Sequence, residues 1–445
     1  MGSNPTASSI YRKDPVSAGS FSLKIVPMPL FKKSPTAAQG FARHGRLKLQ
    51  SRRSAIGGLL VKGIAVALGA TLAVVGISVA NLTAQIQTNG IKLANAKPIT
   101  AADLKGPINM LLVGSDTRKG QGSAFGNETS TLADVMILLH VSADRKNAVA
   151  LSFPRDLMVP WPACPSTSGG PGYLPQSLGQ LNATIANGGP GCTLMTIEAL
   201  TGLKIPYLAM INFKGVIEMS NAIGGVEVCV ANPIDDTYTN THLTAGLHNL
   251  QGMAALQFLR TRHGVGDGSD LSRISNQQVF LTSLVRKVKS AGVLSNPIYL
   301  YSLASAAARN MQLSESLTDV NTMVTLASAL KDVELDKMTF LQVPSHGGLP
   351  APYQGRVMPN YDQANVLFEL LRNDQPVLLA AANTGSGAVV EGGSTASPTP
   401  TASASASSSA SSTKTPTSTA SPSPSSSTLP EWARGTNASV TTCSS

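Results

Sequence analysis

The chain has 445 residues, enough for roughly two or three domains, and carries 34 Lys and Arg against 24 Asp and Glu, a formal charge of +10. Residues 1–53 hold five Lys and five Arg against Asp14 alone, a net +9, which leaves only +1 for all that follows. The rest is no polycation, so the charge gives no reason to expect a nucleic-acid partner.

In chain order, residues 1–54 are rich in Ser, Pro and basic residues, show no hydrophobic period, and read as a disordered cytoplasmic tail. Residues 55–82 are uncharged apart from Lys62, and Gly63 to Leu82 alone supplies about the twenty residues needed to cross a bilayer. Arg43, Arg46, Lys48, Arg52 and Arg53 precede this span. The positive-inside rule therefore predicts a single-pass protein of the cell membrane with its N-terminus in the cytoplasm and the remainder extracellular. Residues 83–106 form a polar connector.

The expected globular part covers 107–382. Ile108 to Val113 is a short apolar run that delivers Asp116 and Arg118 into a loop. Val135 to Val141 and Ala148 to Phe153 read as strands around a hairpin turn, Ser142 to Asn147, and the second leads out to Arg155. Residues 160–192 read as a long irregular loop closed by a Cys164–Cys192 disulfide in an oxidising compartment. Cys229, in the run VEVCV, reads as a buried thiol, and Cys443 falls in a tail. No Cys/His spacing suggests zinc. A helix over Thr193–Leu203, a strand over Tyr207–Phe213, a helix over Lys214–Ala222 and a strand over Val226–Val230 follow. Gly252–Phe258 reads as a helix, and further helices are expected across roughly 296–331 and over Tyr361–Leu371, with a strand at Met338–Val343. Residues 383–445 are Ser, Thr, Ala and Pro with few apolar side chains, and read as a disordered tail.

The most distinctive stretch is Phe258 to Gln278. Arg260 and Arg262, two apart, would leave one side of an extended segment together. A Gly-rich run follows, then a helix capped by Ser269 or Asp270 on which Arg273 and Gln277 are one turn apart. Three arginines, a carboxamide and a helix N-terminus suit a phosphate or pyrophosphate, although a solvated basic loop would use the same residues. Asp116 and Asp134 flank apolar strands, so antiparallel neighbours would bring both to one sheet edge as hard ligands for Mg²⁺, while each also suits a turn or strand entry. Arg155 is a further phosphate donor, or an ion-pair partner of Asp156. No Walker loop, GxxxxGK[ST], and no GxSxG or HExxH motif occurs.

These pieces follow one another as in LytR-CpsA-Psr proteins: NMLLVGSDTR (109–118), LADVMILLHVSADRKNAVALSFPRD (132–156), LNATIANGGP (181–190), NFKGVIEMSNAIGGVEVCV (212–230), LTAGLHNLQGMAALQFLRTRH (243–263) and SDLSRISNQQ (269–278). The chain resembles that family over residues 108–290. The resemblance implies an α/β fold with a central mixed β-sheet flanked by helices, behind one transmembrane helix. It implies a Mg²⁺-dependent phosphotransferase that moves a glycopolymer, such as teichoic acid or arabinogalactan, from a polyprenyl-pyrophosphate carrier to a muramic acid hydroxyl of peptidoglycan. By that resemblance Asp116 and Asp134 bind the metal, and Arg155, Arg260, Arg262, Arg273 and Gln277 bind the pyrophosphate, with Arg118 a further candidate. Leu132 and Asn276 stand where the family often has arginine, so a thinner clamp is expected. A polyprenyl tail needs an apolar trough, for which 193–203 and 207–213 are the expected walls. The rival readings are a lipid-pyrophosphate phosphatase and a non-catalytic wall-bound regulator.

Overall fold

The stretch Ile108–Phe153 carries three mostly apolar runs, and a strand that is apolar on both sides buries a different set of side chains on each face. In the computed structural model, which describes residues 105–118, 131–166, 170–290, 297–318, 320–391 and 427–445 with isolated positions elsewhere, this stretch forms β1 (Ile108–Ser115), β2 (Ala133–Val141) and β3 (Ala148–Phe153). The three pair antiparallel in sequence, and the Ser142 amide donates to the Asn147 carbonyl at 3.0 Å to close the β2–β3 turn. Next come β4 (Met158–Trp161), β5 (Gln176–Gln180), α1 (Thr184–Thr201), β6 (Tyr207–Ile211), α2 (Phe213–Ala222) and β7 (Val226–Val230). They lead to β8 (Ile234–Asp236), β9 (Thr241–Leu243), β10 (Gly246–Leu250), α3 (Met253–Arg260), α4 (Asp270–Ser290) and α5 (Pro297–Asn310). The chain continues through β11 (Met311–Leu313), α6 (Val320–Asp332), β12 (Met338–Gln342), β13 (Ser345–His346), β14 (Met358–Pro359) and α7 (Tyr361–Arg372). It closes with β15 (Val377–Leu379), β16 (Ala388–Val390), β17 (Ser427–Leu429), β18 (Gly435–Asn437) and β19 (Thr442–Ser444).

A seven-stranded sheet in the order β11-β6-β1-β2-β3-β12-β18 is the scaffold, mixed because β6 runs parallel to β1 and β12 parallel to β3. Leu111, Val113, Met136, Leu138, Leu151 and Phe153 face one core, with Ile197 of α1 and Phe368 of α7. Ile137, Val141, Ala148 and Ala150 face the other, with Ala308 of α5, Leu326 of α6 and Leu281 of α4. A second sheet, β10-β7-β19-β16, packs with α3 and α4 around Val226, Val228, Phe258 and Phe280.

Three expectations need correction. The 160–192 segment is no irregular loop: β4 and β5 pair within it and α1 begins at Thr184, while Cys164 and Cys192 are joined by a disulfide. Cys229 is not a free thiol, because it is bonded to Cys443. The expected disordered tail of 383–445 is contradicted over its described residues, where Ala388–Val390 already forms β16. Residues 427–445 return to the fold as β17, β18 and β19, and β19 lies parallel to β7 with Cys443 opposite Cys229. A sparse run of apolar residues after a long polar stretch hid this return: Leu429, Ala433, Ala438 and Cys443 are buried. The expected tail 1–54, nearly all of the span 55–82 and connector 83–106, and residues 392–426 lie outside the described residues. Among the described residues no helix is long and apolar enough to cross a membrane.

Candidate functional site

Register places the ends of five strands on one edge of the large sheet. Gly114 of β1 sits opposite Ile211 of β6 and Val135 of β2, Met136 opposite Phe153 of β3, and Ser152 opposite Gln342 of β12. Loops leaving such an edge are where α/β folds assemble sites. The β1–β2 ladder shifts register between Gly114 and Ser115, which pairs with Ala133, so Asp134 falls at the irregularity and Asp116 just beyond it. A bulge of this kind re-aims a side chain at a sheet edge. Asp116 is fixed there by its Oδ1 accepting from the Leu132 amide at 2.6 Å.

Arg155, delivered by β3 through Pro154, donates from Nη1 to Asp134 Oδ1 at 2.7 Å. Its Nε lies 3.5 Å from Asp156 and 3.8 Å from Asp270, and its backbone amide donates to Asp270 Oδ2 at 3.2 Å. Burial works against the charge of Arg155, but Asp134, Asp156 and Asp270 more than offset it and raise its pKa. Arg273, on the first turn of α4, is only 4% exposed. It donates to the Asp270 carboxylate and, at 3.1 Å, to the Asp134 carbonyl. Here burial wins, helped by repulsion from Arg155 and Arg262, and lowers the Arg273 pKa despite Asp270 and Asp134. Asp134, Asp156 and Asp270 already balance these guanidinium groups, and a multiply charged anion would compete with those carboxylates for them.

Arg260 and Arg262 do not share an extended segment. Arg260 ends α3 with its guanidinium 4.5 Å from the Phe213 ring centroid, a cation–π contact. Arg262 lies in the following loop, near enough to Arg273 to disfavour its charge, and its buried Nε has no hydrogen-bond partner among the described residues. That loop is organised by Asp236, the last residue of β8, whose side chain is fully buried. Asp236 accepts from Thr261 Oγ1 at 2.6 Å and from the amides of Arg262, His263 and Tyr238 at 2.9, 3.1 and 3.0 Å. Burial raises its pKa, but these donors overcome that and hold it at about 2. Sequence reading missed Asp236, since a lone Asp in a short strand has no motif. It also missed Asp270 as a site residue. The helix N-terminus expected to meet an anion is capped by Ser269, which accepts from the Ser272 amide at 3.2 Å, and Asp270 in the first turn holds Arg155 and Arg273 instead.

Behind this edge an apolar cavity of about 320 Å³ runs between the sheet, α2, α3 and α4, with Asp134, Arg260, Arg273 and Gln277 in its wall. A second apolar cavity of about 360 Å³ shares Leu112, Ile137, Ile223, Leu281 and Leu284 with it and reaches Phe340 of β12 and Val288 of α4. The expected wall at 207–213 is present through Ala209, Ile211 and Phe213. The expected wall at 193–203 is not: Leu194, Ile197 and Leu203 pack on the opposite face of the sheet. Gln277 faces this cavity, and its Nε2 donates to the Leu259 carbonyl at 3.0 Å. Arg118 lies beyond β1, half-buried, outside the residues lining either cavity. Asn276 is fully buried and tied to the Phe258 carbonyl at 2.8 Å and to the Ser444 hydroxyl, so it secures α4 to α3 and β19.

The carboxylates of Asp116 and Asp134 are two hard oxygen donors at one edge, a set that suits Mg²⁺ completed by water and phosphate. Among the described residues no group of three His, Cys, Asp or Glu forms a cage for a metal.

A family model described as the LytR_cpsA_psr family matches residues 75–368. The cell wall biosynthesis protein LcpA of Corynebacterium glutamicum is 29% identical over 271 residues, 55% of this chain and 51% of the relative. The probable cell wall biosynthesis protein LcpB of the same organism is 32% identical over 229 residues, 50% of this chain and 51% of the relative. The polyisoprenyl-teichoic acid–peptidoglycan teichoic acid transferase TagT of Bacillus subtilis is 29% identical over 241 residues, 53% of this chain and 68% of the relative. The chain thus spans about half the length of the two corynebacterial relatives. Among solved structures, protein gbs0355 from Streptococcus agalactiae shares the fold, with a TM-score of 0.52 at 22% identity, covering 62% of this chain and 91% of that one.

Proposed function

The chain belongs to the LytR_cpsA_psr family, and from that premise we propose that it is a membrane-anchored phosphotransferase. It moves a glycopolymer from a polyprenyl-pyrophosphate carrier to a hydroxyl of peptidoglycan on the outer side of the cell membrane. The observation that carries this reading is the meeting of Arg155, Arg273 and Asp134 at the mouth of an apolar cavity whose wall also holds Arg260. A prenyl diphosphate has the same two halves, a dense anion and a long hydrocarbon. The name of TagT, a polyisoprenyl-teichoic acid–peptidoglycan teichoic acid transferase, points the same way. The disulfides Cys164–Cys192 and Cys229–Cys443 support an oxidising, extracellular setting, and the apolar run 55–82 would hold the site beside a lipid-bound donor.

In this mechanism the arginines grip the diphosphate and hold the charge that develops on the departing prenyl phosphate. The acceptor oxygen forms a bond to the phosphorus that bears the glycan, and the phosphoanhydride bond to the prenyl phosphate breaks. The hydroxyl proton passes to a carboxylate oxygen of Asp116 or Asp134. Mg²⁺ held by the same two residues would supply Lewis-acid polarisation of the phosphoryl oxygens. Asp270 positions Arg155 and Arg273, and Asp236 positions the loop of Arg262.

Full-length protein supplied with a polyprenyl-diphosphate-linked glycan, with and without peptidoglycan, tests the proposal. Covalent glycan on the peptidoglycan together with released prenyl phosphate is the expected result. Free glycan formed at the same rate whether or not acceptor is present would make the protein a phosphatase instead.

A further inference from the structure

At the β12 end of the same sheet edge lies a third cavity, of about 310 Å³, with different chemistry. Its wall carries Trp432, Arg434 and Glu431 from the returning C-terminal segment, with Asn383, Gln363 of α7 and Ser345 of β13. Trp432 is half-buried against the first core, whereas Arg434 and Glu431 are exposed. The segment is held in place. Asn383 Nδ2 donates to the Glu431 carbonyl at 2.7 Å, and Asn383 and Gly435 exchange backbone hydrogen bonds at 2.9 and 2.7 Å. At Gly435 a Cβ would strike the Phe340 carbonyl, so glycine lets the segment lie directly on β12.

The position is as informative as the lining. Leu271, the residue after Asp270, lines this cavity, and Gln342 Nε2 donates to the Leu271 carbonyl at 3.3 Å and to Ser275 Oγ at 3.0 Å. The first turn of α4 therefore borders this cavity and, through Asp270, anchors Arg155 and Arg273. Hydrocarbon would leave the amides and charges of this wall unpaired, and a diphosphate would meet one Arg beside a Glu. A pyranose ring fits better: its C–H face suits an aromatic plate, and its hydroxyl and acylamino rim suits amides, a hydroxyl, one cation and one carboxylate.

We infer that this cavity is the acceptor subsite, binding an amino-sugar unit of a glycan strand with Trp432 beneath the ring and Arg434 on its carbonyl or carboxylate substituent. Its role as acceptor rests on the transferase reading, whereas glycan binding does not.

Trp161 and Trp432 are the chain's two tryptophans; both emit, but Trp161 is buried away from this cavity, so an emission change that is lost in Trp432→Phe belongs to Trp432. Full-length protein is titrated with soluble β-1,4-linked N-acetylglucosamine oligosaccharides and, separately, with geranylgeranyl diphosphate. The expected result is a saturable emission change with the oligosaccharide that disappears in Trp432→Phe, and about tenfold weaker calorimetric affinity in Arg434→Ala. Affinity for the prenyl diphosphate stays unchanged in both variants. Circular dichroism checks folding, and Gln363→Ala replaces any variant that fails it. An oligosaccharide that leaves Trp432 emission unchanged, or binds all variants equally, overturns the inference even if the prenyl diphosphate binds normally. Normal glycan binding with no prenyl-diphosphate binding instead sinks the transferase reading and leaves the glycan site standing.

Discussion

Single residues divide here into those that would touch the diphosphate and those that hold them. Arg260 is half-buried and ends a helix, so Arg260→Ala should cost only about 1 kcal/mol of stability, through the lost contact with the Phe213 ring, while transfer falls roughly a hundredfold, as for loss of one donor to a developing charge. Arg273 differs because it is buried beside Asp270. Arg273→Ala leaves that carboxylate with only the Arg155 amide and the more distant Arg155 guanidinium, and should cost roughly 3 kcal/mol of stability in denaturant titration as well as activity. Asp236 has a pKa held at about 2 against an ordinary 3.8, so its contribution to stability is fully present above pH 4 and drains as the pH falls towards 2. Asp236→Asn should flatten that acid limb in a plot of melting temperature against pH, and an unchanged limb would count against its role. The arginines were legible because two of them fall beside a Gly-rich run and a helix start. Asp236 and Asp270 were not, because their importance lies in which backbone amides and guanidinium groups the fold brings to them.

At the scale of elements, β1, β2 and β3 could be read directly as short apolar runs bounded by turn residues, because both faces of these strands are covered by core. The short strands β16 to β19 could not, because their partners are distant in sequence, and β8 and β9, which pair with each other across a short turn, have only three residues each, too few to show a period. β19 is the clearest case. The Cys229–Cys443 bond closes a separation of 214 residues, for which chain entropy allows up to about 5 kcal/mol. Cys443→Ser should therefore lower the melting temperature by roughly 5–10 °C in calorimetry. The close seat of the neighbouring loop has its own requirement: a Cβ at Gly387 would strike the Ser272 carbonyl on α4. Leu284 of α4 faces both apolar cavities. Leu284→Trp should block passage between them, impairing long-chain prenyl donors while sparing short ones in the transfer assay.

The whole molecule joins a sheet edge, two adjoining apolar cavities with a shared wall and a C-terminal segment that returns after a long polar stretch. The sequence pattern conveyed the α/β class and most of the cationic cluster. It did not convey that the last 19 residues, 427–445, build part of the same domain, since composition alone marked everything after 383 as unable to form a core. The most direct test of the central claim is a crystal structure of the full chain with geranylgeranyl diphosphate bound. The account predicts the diphosphate between Arg155, Arg260, Arg262 and Arg273, with the hydrocarbon running past Leu281 and Leu284. A diphosphate seated elsewhere, or a prenyl chain lying outside that channel, would contradict it.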